Sequence, residues 1–188
     1  MLEKLIRKIA ERLDADKIPY MVIDGQAVLV YGRPRLTRDI DITLGIDIDD
    51  FALVEKACKK LKLKMLPTRP EDFAKETGVL PAEEQKSGIR VDFIFSFSEY
   101  ERQSLKKAKR INVSNYPVKF ASCEDVIIYK MVAGRAVDEE DVKSILVKNK
   151  SSIDHKYIRR WLSELNKSSE HKEVLESFNR LVKASNPV

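Results

Sequence analysis

Apolar and acidic residues alternate with the period of a β-strand through Thr37-Arg38-Asp39-Ile40-Asp41-Ile42-Thr43-Leu44, and this alternation limits the possible folds more than any other feature of the chain. A strand turns successive side chains to opposite faces, so Ile40, Ile42 and Leu44 enter a core only if Asp39, Asp41 and Thr43 leave together on the other side. Two carboxylates held about 4 Å apart at an effective dielectric near 20 repel by about 4 kcal/mol. A fold that keeps both ionised therefore expects a cation between them. Carboxylate oxygens suit a hard divalent ion, Mg2+ or Mn2+, whereas zinc favours histidine and thiolate ligands. The chain has two histidines and two cysteines, widely scattered.

A second alternating run, Ile89-Arg90-Val91-Asp92-Phe93-Ile94-Phe95, turns Val91, Phe93 and Phe95 to one side and Arg90, Asp92 and Ile94 to the other. If this strand neighbours the first, Asp92 supplies a third carboxylate. Upstream, Leu2 to Asp14 has apolar residues at helical spacing. Tyr20-Met21-Val22-Ile23 reads as a short buried strand ending at Asp24-Gly25, after which Gln26 to Tyr31 resumes as helix. Asp49 to Leu61 is helical again, with Asp47, Asp49 and Asp50 as its N-terminal cap rather than a metal cluster. The polar stretch Pro67 to Gly88, with three prolines, predicts a long surface connection holding a helical turn near Glu71 to Lys75. Short strands follow near Arg110 to Val113 and Pro117 to Phe120. Ser122 with Asp125 then opens a helix from Cys123 to Ala133, and further helices run through Ile145, Trp161 and Leu181. Strands first and helices last predict an α+β fold: a mixed β-sheet flanked by helices over residues 1–121, and a C-terminal helical region, 122–188, packed on that core.

With 188 residues and 43% apolar content, the chain is long enough to bury a core. Cys58 and Cys123 read as reduced thiols rather than a disulfide framework. No apolar run approaches the roughly twenty residues that span a bilayer, and no signal peptide is read at Met1. The expected setting is cytoplasmic, without a membrane partner. The net charge of +5 is uneven: from Val142 to Val188, ten Lys or Arg stand against five Asp or Glu. Such basic C-terminal helices either face a polyanion such as RNA or present a solvated surface. Trp161, Tyr157 and Leu165 share helical spacing and read as core, while His155 and His171 read as exposed bystanders.

Nucleotidyl transfer needs a seat for a triphosphate, carboxylates for metal and a way to activate the attacking hydroxyl. Gly25 stands where a strand passes into a helix, so backbone N–H groups there can donate to phosphate oxygens. Asp39, Asp41 and Asp92 are the candidate metal ligands and catalytic residues. Paired aspartates also hold manganese in sugar-nucleotide glycosyltransferases, an alternative that the helical tail does not support.

Gly25-Gln26, a spacer, Arg35-Leu36-Thr37-Arg38-Asp39-Ile40-Asp41-Ile42 and the later Val91-Asp92-Phe93 together resemble the DNA polymerase β-type nucleotidyltransferase superfamily. The segment Glu124-Asp125-Val126-Ile127-Ile128-Tyr129-Lys130 through Arg135-Ala136-Val137-Asp138-Glu139-Glu140-Asp141 is similar to its abortive-infection-type branch, which contains toxins of toxin–antitoxin pairs. The resemblance implies magnesium-dependent transfer of a nucleoside monophosphate from a nucleoside triphosphate to a hydroxyl of RNA, such as tRNA, or of protein. A cognate antitoxin is the partner implied for a toxin member. By the match, Asp39 and Asp41 are metal ligands and Asp92 is the third ligand or the base. Gly25, Gln26, Thr37, Arg38, Lys130 and Arg135 are the implied nucleotide-binding residues, with Asp138 and Asp141 pairing with the last two. The family usually has glycine or serine after the first glycine. Gln26 departs from that pattern, and its amide either crowds the triphosphate or supplies a side-chain donor. The departure motivates an alternative function, a nucleotide-binding regulatory module with weak or no catalysis.

Overall fold

Residues 1–96, 98–165 and 173–185 are described in the computed structural model of the protein. Helix α1 (Leu2–Ala15) buries Leu5, Ile6, Ile9, Ala10 and Leu13 along one stripe, as its spacing requires. Strand β1 (Tyr20–Ile23) is buried throughout and runs directly into α2 (Asp24–Tyr31). Asp24 bends the chain there with φ of 48°, a left-handed value that aspartate tolerates better than most residues. Strand β2 (Ile40–Leu44) carries Asp41, and a 3-10 turn (Ile48–Asp50) leads into α3 (Phe51–Leu61). Asp47 caps that turn by accepting from the Asp49 N–H at 3.1 Å.

Residues 67–88 are not the long surface connection that their prolines suggest. Helix α4 (Pro70–Thr77) and strand β4 (Val79–Glu84) fill this part of the chain, just after strand β3 (Leu63–Met65). Pro70 opens α4, where a missing N–H is no loss. Pro81 lies in β4 opposite Asp92, but β3 pairs only with Ala82 to Glu84. The proline therefore stands just beyond the edge strand, whose ladder it would otherwise interrupt, and its carbonyl still accepts from the Leu66 N–H at 2.9 Å.

Strand β5 (Ile89–Phe95) matches its alternation. Helix α5 (Glu99–Lys107), not expected from the sequence, begins at a capping box formed by Ser98 and Glu101 and carries much of the basic stretch after residue 101. Strands β6 (Lys109–Val113) and β7 (Tyr116–Phe120) form a hairpin through Ser114 and Asn115, at φ of 50° and 65°.

Among the described residues the strands form one seven-stranded sheet, in the order β3-β4-β5-β2-β1-β7-β6. Pairing is parallel for β2 with β5 and for β1 with β7, and antiparallel elsewhere. This is the mixed, helix-flanked sheet expected from the sequence. Ile40, Ile42 and Leu44 align with Val91, Phe93 and Phe95, all buried, and Phe51 stacks on Phe95 with ring centres 6.3 Å apart.

By its internal contacts the chain divides into two units. Met1–Gln26 with Leu36–Ala121 holds all the strands, and Ala27–Arg35 goes with Ser122–Val188. The polar contacts of residues 27–35 run to the helical part: Asn149 Nδ2 donates to the Tyr31 carbonyl at 2.7 Å, and Lys148 Nζ to that of Gly32 at 3.2 Å. The second unit is built from α6 (Cys123–Ala133), α7 (Ala136–Lys148), α8 (His155–Leu165) and α9 (Val174–Ala184). Ser122 caps α6, and the Tyr157 hydroxyl reaches Asp125 at 2.8 Å. Trp161 is buried, as its spacing predicts. His155 is not exposed: it is half-buried, 6.1 Å from the Phe178 ring. His171 lies outside the described residues. Cys58 and Cys123 are free thiols, each pushed up to a pKa of about 12 by burial. Among the described residues no helix is long and apolar enough to cross a membrane.

Candidate active site

Parallel pairing of β2 with β5 sets Asp41 directly opposite Asp92. Neighbouring strands lie about 4.8 Å apart, so the two carboxyl groups leave the same face side by side. Asp39 immediately precedes β2 and is exposed. Its backbone is tied down by Gln26, whose Nε2 donates to the Asp39 carbonyl at 3.2 Å. Gln26 is buried, so the residue that departs from the family pattern anchors the acidic segment. At Gly25, a Cβ would lie 2.5 Å from Thr37 Oγ1. Thr37 rather than open space therefore occupies the notch that the glycine leaves. Arg38 is exposed beside Asp39.

A cation that the sequence reading passed over faces these acids. Arg90 precedes Asp92 by two residues in the alternating run and so shares its face. Its Nε donates to both Asp92 oxygens, at 2.8 and 3.0 Å. The hydrogen bond to Asp92, and then the charges of Asp92, Asp39 and Asp41, hold the Arg90 guanidinium above its usual pKa. One positive group thus responds to all three carboxylates.

The donor set is entirely carboxylate, the oxygen chemistry of a hard divalent ion. Among the described residues no group of three or more His, Cys, Asp or Glu side chains is gathered to hold a metal ion. In donor chemistry these carboxylates suit magnesium or manganese, and both Asp92 oxygens are held by Arg90.

Lys130 and Arg135 belong to the second unit, where the acids anticipated as their partners hold them. Lys130 is only 2% exposed, and its Nζ lies 2.8 Å from Asp138 Oδ1 and 3.2 Å from Asp141 Oδ2. Arg135 grips Asp138 through Nε at 2.6 Å and a terminal nitrogen at 3.0 Å. Arg35 makes a two-pronged contact with Asp141 at 3.0 and 3.1 Å. Burial pushes the Asp138 carboxyl up, but the hydrogen bonds from Arg135 and Lys130 outweigh it and leave the pKa below its ordinary 3.8. The arrangement can join α6 to α7, and a phosphate could reach Lys130 only by displacing a carboxylate.

Residues 2–180 match the family described as nucleotidyl transferase of unknown function (DUF2204). The chain belongs to this nucleotidyl transferase family. That description does not extend to the abortive-infection-type branch. No curated protein matches the sequence. Among solved structures, the fold is similar to an antigenic nucleotidyltransferase-like protein from Paracoccidioides brasiliensis, with TM-score 0.58 and 16% identity over 94% of this chain and 92% of that one. It is also similar to the lincosamide antibiotic adenylyltransferase LnuA in its lincomycin-bound form, with TM-score 0.55 and 16% identity over 80% and 97%. The ANT(2")-Ia complex with adenylyl-2"-tobramycin gives TM-score 0.51 and 14% identity over 98% and 99%. At these identities the likeness concerns the nucleotidyltransferase fold.

Two outcomes follow from the charge pattern. Asp138→Asn should destabilise the protein by about 3 kcal/mol at neutral pH, because a buried ion pair loses one partner while Lys130 keeps the other. Since the folded pKa of Asp138 is depressed, its contribution is present above pH 3.8 and is lost as pH falls through the folded value. Urea unfolding of both proteins should show the gap narrowing below that pH, and a gap independent of pH would contradict the assignment. Arg90→Met should tighten Mn2+ binding about fivefold, the scale of a half-exposed ion pair, as read by calorimetric titration. Unchanged or weaker binding would show that Arg90 does not compete for Asp92.

Proposed function

We propose that this family member transfers a nucleoside monophosphate from a nucleoside triphosphate to an acceptor hydroxyl, with Asp39, Asp41 and Asp92 as its catalytic carboxylates. The observation that carries the proposal is the register of β2 against β5, which sets Asp41 beside Asp92 on the face where Arg90 responds to all three acids. Magnesium or manganese would be held by Asp39 and Asp41 with Asp92, lowering the pKa of the acceptor hydroxyl and stabilising charge on the departing pyrophosphate. The chain supplies the remainder. Gln26 fixes the Asp39 backbone, Thr37 packs at Gly25, and Arg38 adds positive charge where phosphates approach. Lys130 and Arg135 serve the ion cluster that joins α6 to α7. Because the Gln26 amide is engaged by Asp39, the departure at that position serves the acidic segment, which weakens the case for an inactive regulatory module.

A second reading concerns the acceptor. Lys156, Arg159 and Arg160 are exposed along α8, and a basic face favours RNA. The likeness of residues 124–141 to abortive-infection-type enzymes supports the finer form of this reading, a cytoplasmic toxin with a cognate antitoxin.

Asp41→Asn should lower nucleotide transfer about a thousandfold, equivalent to ~4 kcal/mol of barrier, while shifting stability by less than about 0.5 kcal/mol, because the group is half-exposed and opens no cavity. Transfer of label from α-labelled nucleoside triphosphate, followed beside urea unfolding, separates the two effects. An unfolded variant would point to a structural role. If RNA is the acceptor, reversing Lys156, Arg159 and Arg160 to glutamate should reduce the slope of log affinity against log salt by about 2. An unchanged slope would remove RNA from that face.

A further inference from the structure

Beside the acids lies an open cavity. It measures about 550 Å³ and is formed by the β3–α4 connection, one side of α4, Pro81 of β4 and Arg90 of β5. This volume falls in the range of roughly 300–1,000 Å³ typical of small-molecule sites. We propose that the cavity seats the acceptor, and that the acceptor is a small hydroxylated molecule with an apolar or aromatic body, not a nucleic acid. The inference rests on the nucleotidyl-transfer reading and specifies its substrate class.

Position is the first argument. Pro81 is the register partner of Asp92 across the β4–β5 ladder, and cross-strand partners put their side chains on the same face. The cavity therefore begins one strand, about 4.8 Å, from the carboxylate row. Arg90 belongs to both features: it lines the cavity and holds Asp92 at 2.8 and 3.0 Å. A molecule seated against Pro81 presents a hydroxyl to Asp92 by passing the guanidinium.

Chemistry is the second. Leu66, Pro67, Phe73 and Pro81 give the cavity an apolar wall, and Leu66 and Phe73 are large apolar side chains left 41% and 39% exposed. At the rim, Arg69 is paired with Asp72 at 2.5 Å, and Glu76 adds a further negative charge. A phosphate backbone is drawn to uncompensated cations, which this rim does not offer. An uncharged or weakly basic molecule with an apolar face suits it.

The wall is also built into the fold. The chain closes α4 with Gly78 in a left-handed conformation, the Gly78 carbonyl accepts from the Phe95 N–H at 2.9 Å, and the Leu66 N–H is held by Pro81. In the reaction, the acceptor oxygen forms its bond to the α-phosphorus. The bond from that phosphorus to the bridging oxygen breaks, pyrophosphate leaves with the electron pair, and the hydroxyl proton passes to the carboxylate cluster.

The test uses the full chain and 4-methylumbelliferyl β-glucoside, a fused aromatic ring carrying sugar hydroxyls. Its binding is followed by saturation-transfer NMR without nucleotide, and its labelling by α-labelled nucleoside triphosphates with Mg2+. Wild type and Asp41→Asn should bind the glucoside alike, whereas Phe73→Ala should bind it about tenfold more weakly through lost apolar contact. Leu66→Arg, at a half-exposed position, should abolish binding, and both pocket variants should bind nucleotide as wild type does. Absence of saturable binding to wild type, or binding undiminished in both pocket variants, would overturn the proposal. So would displacement of the glucoside by nucleotide alone, or efficient labelling of total RNA by the pocket variants. Failure of the parent reading has a different signature: pocket-dependent glucoside binding with no labelling from any nucleoside triphosphate overturns nucleotidyl transfer and, with it, the acceptor role.

Discussion

The parallel pairing of β2 with β5 is the constraint from which the candidate site derives. In the observed register Ile40, Ile42 and Leu44 are buried beside Val91, Phe93 and Phe95, and Asp41 lies beside Asp92. Slipping one strand by a single residue would turn the acids inward and the apolar set outward. The magnitudes favour the observed register: burying one such side chain is worth about 1.5–3 kcal/mol, so two or three offset a carboxylate repulsion of about 4 kcal/mol. Hydrophobic burial thus enforces a cluster of like charge that electrostatics alone would disperse. Arg90 relieves part of the remaining strain from its place two residues along the same strand.

The two units treat their carboxylates in opposite ways. In the helical unit, Asp138 and Asp141 are buried and met by Lys130, Arg135 and Arg35 at hydrogen-bond distance. A closed cluster of this kind loses heavily if one member is removed, which suits a structural joint. In the sheet unit, the Arg90 side chain is half exposed while holding Asp92, and Asp39 is exposed. Exposed pairs are worth about 1 kcal/mol or less, so that arrangement can be exchanged for another cation at small cost. Lability is what a binding site requires.

Much of this was legible in the chain. Alternation located β2 and β5 and put Asp39, Asp41 and Asp92 on outward faces, and the Ser122–Asp125 pair marked the start of α6. The region around residues 63–84 was not legible, because Pro67, Pro70 and Pro81 act as local breakers while the tertiary structure puts two of them where a missing N–H is harmless. Pro70 starts a helix, and Pro81 stands past the end of a three-residue edge strand. Helix α5 carries a readable sign, the Ser98-Glu99-Tyr100-Glu101 capping box. The role of Gln26 had no local sign, since its partner is a carbonyl thirteen residues away.

What the sequence hid lies within the connection between β2 and β5. A parallel β2–β5 pair demands a crossover connection, and extending a connection costs little, about 0.6 kcal/mol for each doubling of loop length. Here the crossover contains α3, β3, α4 and β4, far more than joining the two strands requires. The acids at the strands depend on the sheet and tolerate little change without losing the register that creates them. Within that connection β4 pairs with β5 over six residues, and the β3–α4–β4 segment sets Leu66, Phe73 and Pro81 next to Asp92 through Arg90. The carboxylates on β2 and β5 are thus set by strand register, while the connection between those strands supplies the apolar wall of the proposed acceptor site.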